Sequence, residues 1–471
     1  MRTQPFLRLL VLLPLAGLLF ATPPLPSEQL ALLAKGHRFQ RAGWIYIHAE
    51  GPPRARGFQH GFLLAKEIAD GLKKTRASWE HLSALPWDWY VARADALLTA
   101  KIDAENLAEL EGMLEGLASA GIRSSRAELV AYNAQTELFG YWWPQEFRKL
   151  KEGAKVPLPE SCSAFIATGS WTADGGVVLG HNTMQDYHLA PPNVVLDLVP
   201  EKGQRILMQT TPGWIHSGTD FWVTSAGLVG AETTIGAFDG FDPSGLPEFS
   251  RMRRASQDAA TIDDWCRIMQ AGNNGGYANA WLLGDVNTGE IARLELGLKV
   301  VSLERTMDGV FTGSNIAENP KLLRFETTSN EVDIRASSVA RRVRWKQLMA
   351  RHKGRLDLAL ARRFEADHFD AFYGRERIGG RSLCAHHELD RDPAGNWPGV
   401  PYGPAGTLDA KVLDAKQAKA MSFSARWGAA CGRPFDAAAF LAKHPQFEWM
   451  KDLLDNRPAQ PWTTFRAGDR K

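Results

Sequence analysis

Cysteine is scarce in this chain of 471 residues: Cys162, Cys266, Cys384 and Cys431 are all it has. Four are too few to staple a chain of this size, so a disulfide scaffold is excluded. An excess of charge of one sign is also missing. The formal net charge is +2 and no long run of like charges occurs, which excludes an electrostatic case for nucleic acid or a strongly acidic partner. A Gly-x-Ser-x-Gly elbow is absent, which argues against a serine α/β-hydrolase. A phosphate-binding P-loop and a Gly-x-Gly-x-x-Gly turn after a strand are absent too, so no nucleotide cofactor is implied, and none of any other kind is expected. The segment Cys384-Ala385-His386-His387-Glu388 is rich in ligand-type residues, but its spacing matches no standard zinc pattern; it reads as solvent-exposed histidines, with no metal expected. Cys384 and Cys431 could pair in an oxidising compartment, while Cys266 lies on an amphipathic stretch and reads as core.

Long apolar runs are limited to the start. Arg2 and Arg8 precede or flank the short run Leu9–Phe20, followed by Ala21 and Thr22-Pro23-Pro24. Basic start, short apolar stretch and small residue form the pattern of a secretory signal over residues 1–21. The run is shorter than the roughly 20 residues of a membrane span; retention as an anchor is the alternative. With no Asn-x-Ser/Thr acceptor in the chain, a secreted or periplasmic location is expected, with at most peripheral membrane contact.

What is present is ordinary in bulk: 44% apolar and 23% charged residues, as in globular proteins. Sixteen tryptophans are many, and serve either a large core or an apolar cleft. Residues 24–150 read as mostly helical. Gly57–Lys74, Asp88–Ala120 and Ser124–Trp143 carry apolar residues at helical spacing, the last with Ser124 or Ser125 as its cap. Lys149–Ser161 combines charge, glycine and two prolines and reads as an exposed linker, where proteolysis concentrates. Strands are expected from there on: Ser163–Thr168, a turn at Ala173–Gly176, Val177–Leu179, Val194–Val199, Arg205–Thr210, Phe221–Val229, Asn279–Leu283, Glu290–Leu296 and Val300–Leu303. Helices are expected at Asp258–Met269 and Ser337–Arg351. A helical prefix ahead of a strand-rich body predicts an α+β fold.

The junction Pro159-Glu160-Ser161-Cys162-Ser163 places a cysteine between the linker and the first core strand. Cleavage between Ser161 and Cys162 would give Cys162 a free α-amine beside its own thiol. Such an amine titrates at about 7.7–8.0, so it can take the thiol proton and return it to a leaving group. On its own, a cysteine opening a strand is more often a buried, inert residue.

Cys162-Ser163-Ala164-Phe165 and Gly180-His181-Asn182-Thr183 resemble the opening of the phospholipase B-like family. Further blocks follow in the family's order: Pro212-Gly213, Ser217–Phe221, Ser225–Val229, Glu232-Thr233-Thr234-Ile235 and Tyr277-Ala278-Asn279-Ala280-Trp281. Gly57-Phe58-Gln59-His60-Gly61 resembles its N-terminal part, and the C-terminal third is similar only loosely. The resemblance implies a four-layer αββα N-terminal-nucleophile hydrolase fold, similar to penicillin acylase and acid ceramidase-type amidases, with the helical N-terminal segment packed on it. It implies self-cleavage into fragments 22–161 and 162–471 that stay associated. Cys162 is then the nucleophile, and His181 orients the amine or holds charge. Thr233 or Thr234 brings a hydroxyl to the amine, and Asn279 supplies an oxyanion donor. Asn182 and Met184 are candidate substrate-binding positions. Met184 departs from the family's Trp and Ala278 from an Asn, so the family's substrate does not carry over directly. The expected reaction is hydrolysis of an amide or acyl ester with an apolar acyl group, through a thioester. An acyltransferase on the same fold and a non-catalytic lipid- or ligand-binding protein are the alternatives.

Overall fold

In the computed structural model, residues 25–151, 162–190, 192–218, 221–396 and 399–471 are described. The expected signal, the linker residue Ser161, and Thr219 and Asp220 of the sequence blocks lie outside them. Two large sheets dominate the described residues. The larger runs from edge to edge through His37–Arg41 (β1), Trp44–Gly51 (β2), Val194–Pro200 (β5), Ile206–Thr210 (β6), Phe221–Thr224 (β7), Leu228–Thr234 (β8), Asn279–Asp285 (β9), Glu290–Leu296 (β10) and Val301–Thr306 (β11). The smaller runs Gly309–Gly313 (β12), Ser163–Thr168 (β3), Val178–Asp186 (β4), Ala405–Asp414 (β15), Ser422–Trp427 (β16) and Thr463–Arg466 (β17). A two-stranded ribbon joins Phe369–Asp370 (β13) to Arg375–Glu376 (β14).

Side-chain alternation makes these sheets into four layers. In β3, Ala164 and Ile166 point into a core shared with Val195, Leu207, Val229 and Leu282 of the larger sheet. Phe165 and Ala167 point the other way, onto Trp345, Leu348, Leu360 and Phe364. Those residues belong to the helices Ser337–His352 and Leu358–Glu365. On the far face of the larger sheet, Val194, Leu196, Met208 and Leu283 pack against Ile68, Leu110, Leu129 and Trp265, from the helices of the N-terminal region and the helix Ile262–Gln270. The order is helix, sheet, sheet, helix, which is the αββα arrangement. Strands buried on both faces need continuous apolar runs, and all six residues of β3 are buried. Among the described residues no helix is long and apolar enough to cross a membrane.

Several readings of the sequence change. The N-terminal region is not helical throughout, because β1 and β2 lie in it and β2 pairs in parallel with β5. Phe221–Val229 is two strands, turned by Gly227 at φ +85°. Asp88–Ala120 is two helices, because Asp103 caps the second by accepting from Asn106 N at 3.0 Å. The helix at residues 258–269 begins at Ile262, capped by Thr261. Ser125 caps Arg126–Asn133 as read from the sequence. Trp79, Trp87, Trp222, Trp265, Trp281 and Trp345 are fully buried, which favours the core reading of the tryptophans.

The block Gly57–Gly61 finds its use here. Gly57 and Gly61 of the helix Pro53–Leu63 lie directly on the backbone of Glu109 and Met113, where any Cβ would clash. Gly112 and Gly116 answer from the opposite helix, Ala104–Ser119. Between the glycines, His60 Nε2 accepts from Gly213 N at 3.0 Å, so two separate sequence blocks meet.

Candidate active site

Cys162 sits at the mouth of β3, 3% exposed, with φ at +79°. A left-handed backbone is uncommon for a residue with a Cβ and costs on the order of 1–3 kcal/mol. The carbonyl of Cys162 accepts from Arg341 Nη1 at 2.6 Å. Arg341 also donates to Asn315 Oδ1 at 2.6 Å and to Ser337 Oγ at 3.1 Å, and Asn315 Nδ2 donates to the Thr234 carbonyl at 2.8 Å. Thr234 faces Asn279 in the β8–β9 register. One buried chain of bonds thus runs from Cys162 to the residue opposite Asn279.

The side chains converge as well. Cys162 Sγ, a ring nitrogen of His181 and a carboxylate oxygen of Glu232 all lie within 4.8 Å of one another, and all three residues are buried. His181 lies opposite Ala164 on one side and Lys411 on the other. Burial pushes its pKa well below 6.5 and the Lys411 charge adds to that, against a raising influence from the Glu232 carbonyl. The imidazole is therefore neutral at neutral pH. The Lys411 ammonium is itself held by Asp409 Oδ1 at 2.6 Å and Thr183 Oγ1 at 2.5 Å. Glu232 accepts from the Tyr277 hydroxyl at 2.7 Å.

The other candidates divide. Thr233 packs on Gly313, which pairs with Ala164, two residues along β3 from Cys162. Asn279 is wholly buried, and among the described residues neither its amide oxygen nor its amide nitrogen has a hydrogen-bond partner. Asn182 turns away from the space between the sheets: its amide donates to the carbonyls of Glu365 and Leu383, each at 2.8 Å. That is a structural bridge to the outer helix layer rather than a substrate contact. Met184 is buried and pairs with Thr407. Glu232, Asn315 and Arg341 carry the geometry without having been assigned roles from sequence. Glu232 stands directly before Thr233 and was within reach of the motif. Arg341 lies 179 residues from Cys162 and left no local signal.

The region around Cys384 corrects the sequence reading at its two histidines. All four are free thiols, so Cys384 and Cys431 are not paired here. His386 and His387 are buried, not solvent-exposed, because the strand β15 and the loop after β16 cover them. Cys266 is buried, as expected.

A family model described as phospholipase B matches residues 105–306. Over part of its length the chain is similar in sequence to phospholipase B-like proteins. It is 31% identical over 144 residues to the human phospholipase B-like 2 protein, covering 26% of this chain and 24% of that one. The bovine counterpart is 29% identical over the same length and the same shares. Phospholipase B-like protein C of Dictyostelium discoideum is 26% identical over 141 residues, 27% of this chain and 25% of its own. The match thus spans about a quarter of the length of these curated relatives. Among solved structures, a mutant of conjugated bile acid hydrolase from Clostridium perfringens aligns over 56% of this chain and 89% of its own, at 10% identity and a TM-score of 0.35. Penicillin V acylase from Agrobacterium tumefaciens aligns over 56% and 83%, at 11% identity and a TM-score of 0.29.

Proposed function

We propose that this protein is a hydrolase of amide or acyl-ester bonds that cuts itself between Ser161 and Cys162 and then uses Cys162 as an N-terminal nucleophile. The observation that carries the reading is the buried meeting of Cys162 Sγ, His181 and Glu232 at the mouth of β3. A buried sulfur that meets an imidazole and a carboxylate has the neighbours nucleophilic chemistry uses, which a cysteine packed only among apolar side chains lacks. The left-handed backbone at Cys162 adds support, since scission of the preceding peptide bond would release its constraint.

In the reaction the new α-amine takes the thiol proton and Sγ attacks the substrate carbonyl carbon. The oxyanion forms against an amide donor, for which Asn279 is the candidate. The C–N or C–O bond breaks, the amine protonates the leaving group, and water releases the acyl chain from the thioester. His181, neutral, orients the amine without competing for its proton. The relatives' names point to lipids and the chemistry suits amides equally; a substrate with an apolar acyl group fits both. Fragments 22–161 and 162–471 stay together in this reading, because β2 of the first is a strand of the larger sheet paired with β5 of the second. The segment at residues 1–21 directs export.

Intact mass and N-terminal sequencing of the mature protein test the proposal, followed by assay on acyl amides and phospholipids with and without an added amine. A fragment beginning at Cys162 and release of free acid are expected. An uncut chain that still hydrolyses would refute self-activation, and acyl transfer to the amine would refute hydrolysis as the main reaction.

A further inference from the structure

A second cluster lies away from Cys162, beneath the smaller sheet. His368, Cys384, His386 and Cys431 each bring one donor atom within 4.8 Å of the others. His368 follows the helix Leu358–Glu365, and Cys431 follows β16. Cys384 and His386 lie on a segment bridged to β15 through Gly406. We propose that these four residues bind a structural zinc ion.

The distances favour a tetrahedral ion. Zn–S of about 2.3 Å and Zn–N of about 2.0–2.1 Å at tetrahedral angles put a ligand nitrogen roughly 3.5 Å from a ligand sulfur. His386 Nε2 lies 3.6 Å from Cys384 Sγ and 3.4 Å from Cys431 Sγ. The remaining nitrogen of His386, Nδ1, lies 2.9 Å from Glu388 Oε1. A carboxylate on the far nitrogen is the usual outer support of a zinc-bound imidazole, since it fixes the tautomer that leaves Nε2 free for metal. Glu388 is itself held by the Tyr187 hydroxyl at 3.1 Å. Among the described residues His368 Nε2 is buried without a hydrogen-bond partner, and a ring nitrogen of His368 lies within 4.8 Å of the Cys431 sulfur. Ala410, Ala429 and Ala430 close an apolar collar around the sulfurs.

Two sulfurs and two imidazoles select zinc among the common divalent ions, and four protein donors leave no open position for catalysis. The ion would instead lock three distant segments under β4. Leu383, next to Cys384, accepts the amide of Asn182, which neighbours His181. The site therefore braces the strand that carries His181.

The test uses the full mature chain, purified without chelator and reconstituted with zinc chloride under mild reductant. Elemental analysis and native mass spectrometry should find about one zinc per chain. It should persist in Cys162→Ala and fall at least tenfold in His386→Ala and in Cys384→Ser/Cys431→Ser. Chelation should expose two thiols to an aromatic disulfide reagent and lower Tm by several degrees. If those variants do not fold, the wild-type stoichiometry and the chelator-dependent thiols decide alone. A wild-type chain without zinc overturns the proposal. So does a Cys384–Cys431 disulfide in the mature protein, or zinc lost in Cys162→Ala and kept in the double variant, since that would put the ion at the other cluster.

Discussion

Arg341 Nη1 donates to the backbone carbonyl of Cys162 at 2.6 Å, and both residues are buried. The bond grips Cys162 through its own carbonyl, on the side opposite the proposed cut. The same guanidinium holds Asn315, so Arg341 sets the position of Cys162 relative to Thr234 and, through the β8–β9 register, Asn279. Lysine cannot serve two acceptors in this planar fork. Arg341→Lys should slow processing by roughly tenfold to a hundredfold, the range a displacement of about 1 Å at a reacting group can cost. A time course of fragment appearance measures it, and processing at the wild-type rate would remove Arg341 from the positioning role.

Cys162→Ala should remain a single chain and show no turnover. Cys162→Ser keeps a nucleophilic oxygen and should process, more slowly. Intact mass reads both. Normal fragments from Cys162→Ala would show that another protease makes the cut.

Asn279 should separate activity from stability. Among the described residues its buried amide has no hydrogen-bond partner, and each such unmet group costs about 1–3 kcal/mol. Asn279→Ala should lose about 10²–10³ in kcat, the usual cost of one oxyanion donor, while Tm stays level or rises. A fall in Tm with kcat intact would make Asn279 structural.

Asn182 should behave in the opposite way. Asn182→Ala strips the Glu365 and Leu383 carbonyls of their donor. A destabilisation of roughly 2–6 kcal/mol follows from two orphaned buried groups, with KM unchanged in the folded fraction. Urea unfolding gives the first quantity and steady-state kinetics the second.

His60 offers a pH test. Burial holds it at about 4, against a raising influence from Glu109 and the ordinary value of 6.5. The folded state thus binds the proton less readily than the unfolded chain. The stability this confers is complete above pH 6.5 and is lost as pH falls toward 4. Between pH 7 and 5 the loss from this residue is about 2 kcal/mol. His60→Gln keeps an acceptor for Gly213 N and should flatten the stability curve by that amount. Denaturant midpoints at the two pH values decide it, and parallel curves for the two proteins would refute the assignment.

The residues themselves announced Cys162 ahead of the first core strand, most strands of the larger sheet and β3 and β4 of the smaller one, a cap at Ser124 or Ser125, and the ordered blocks that resemble phospholipase B-like proteins. These signals are local: apolar runs, turn residues and short motifs act over a few neighbours. The tertiary structure alone decided that β1 and β2 complete the larger sheet, that Glu232 joins His181 at the sulfur, and that Arg341 reaches Cys162. It also decided that His386, read as exposed, lies buried between two cysteines. Each of these depends on contacts across tens to hundreds of residues, which strand register and layer packing create and which local pattern does not encode. Cys162 could be found by reading along the chain, but the groups that would make it reactive meet it only when the sheets close.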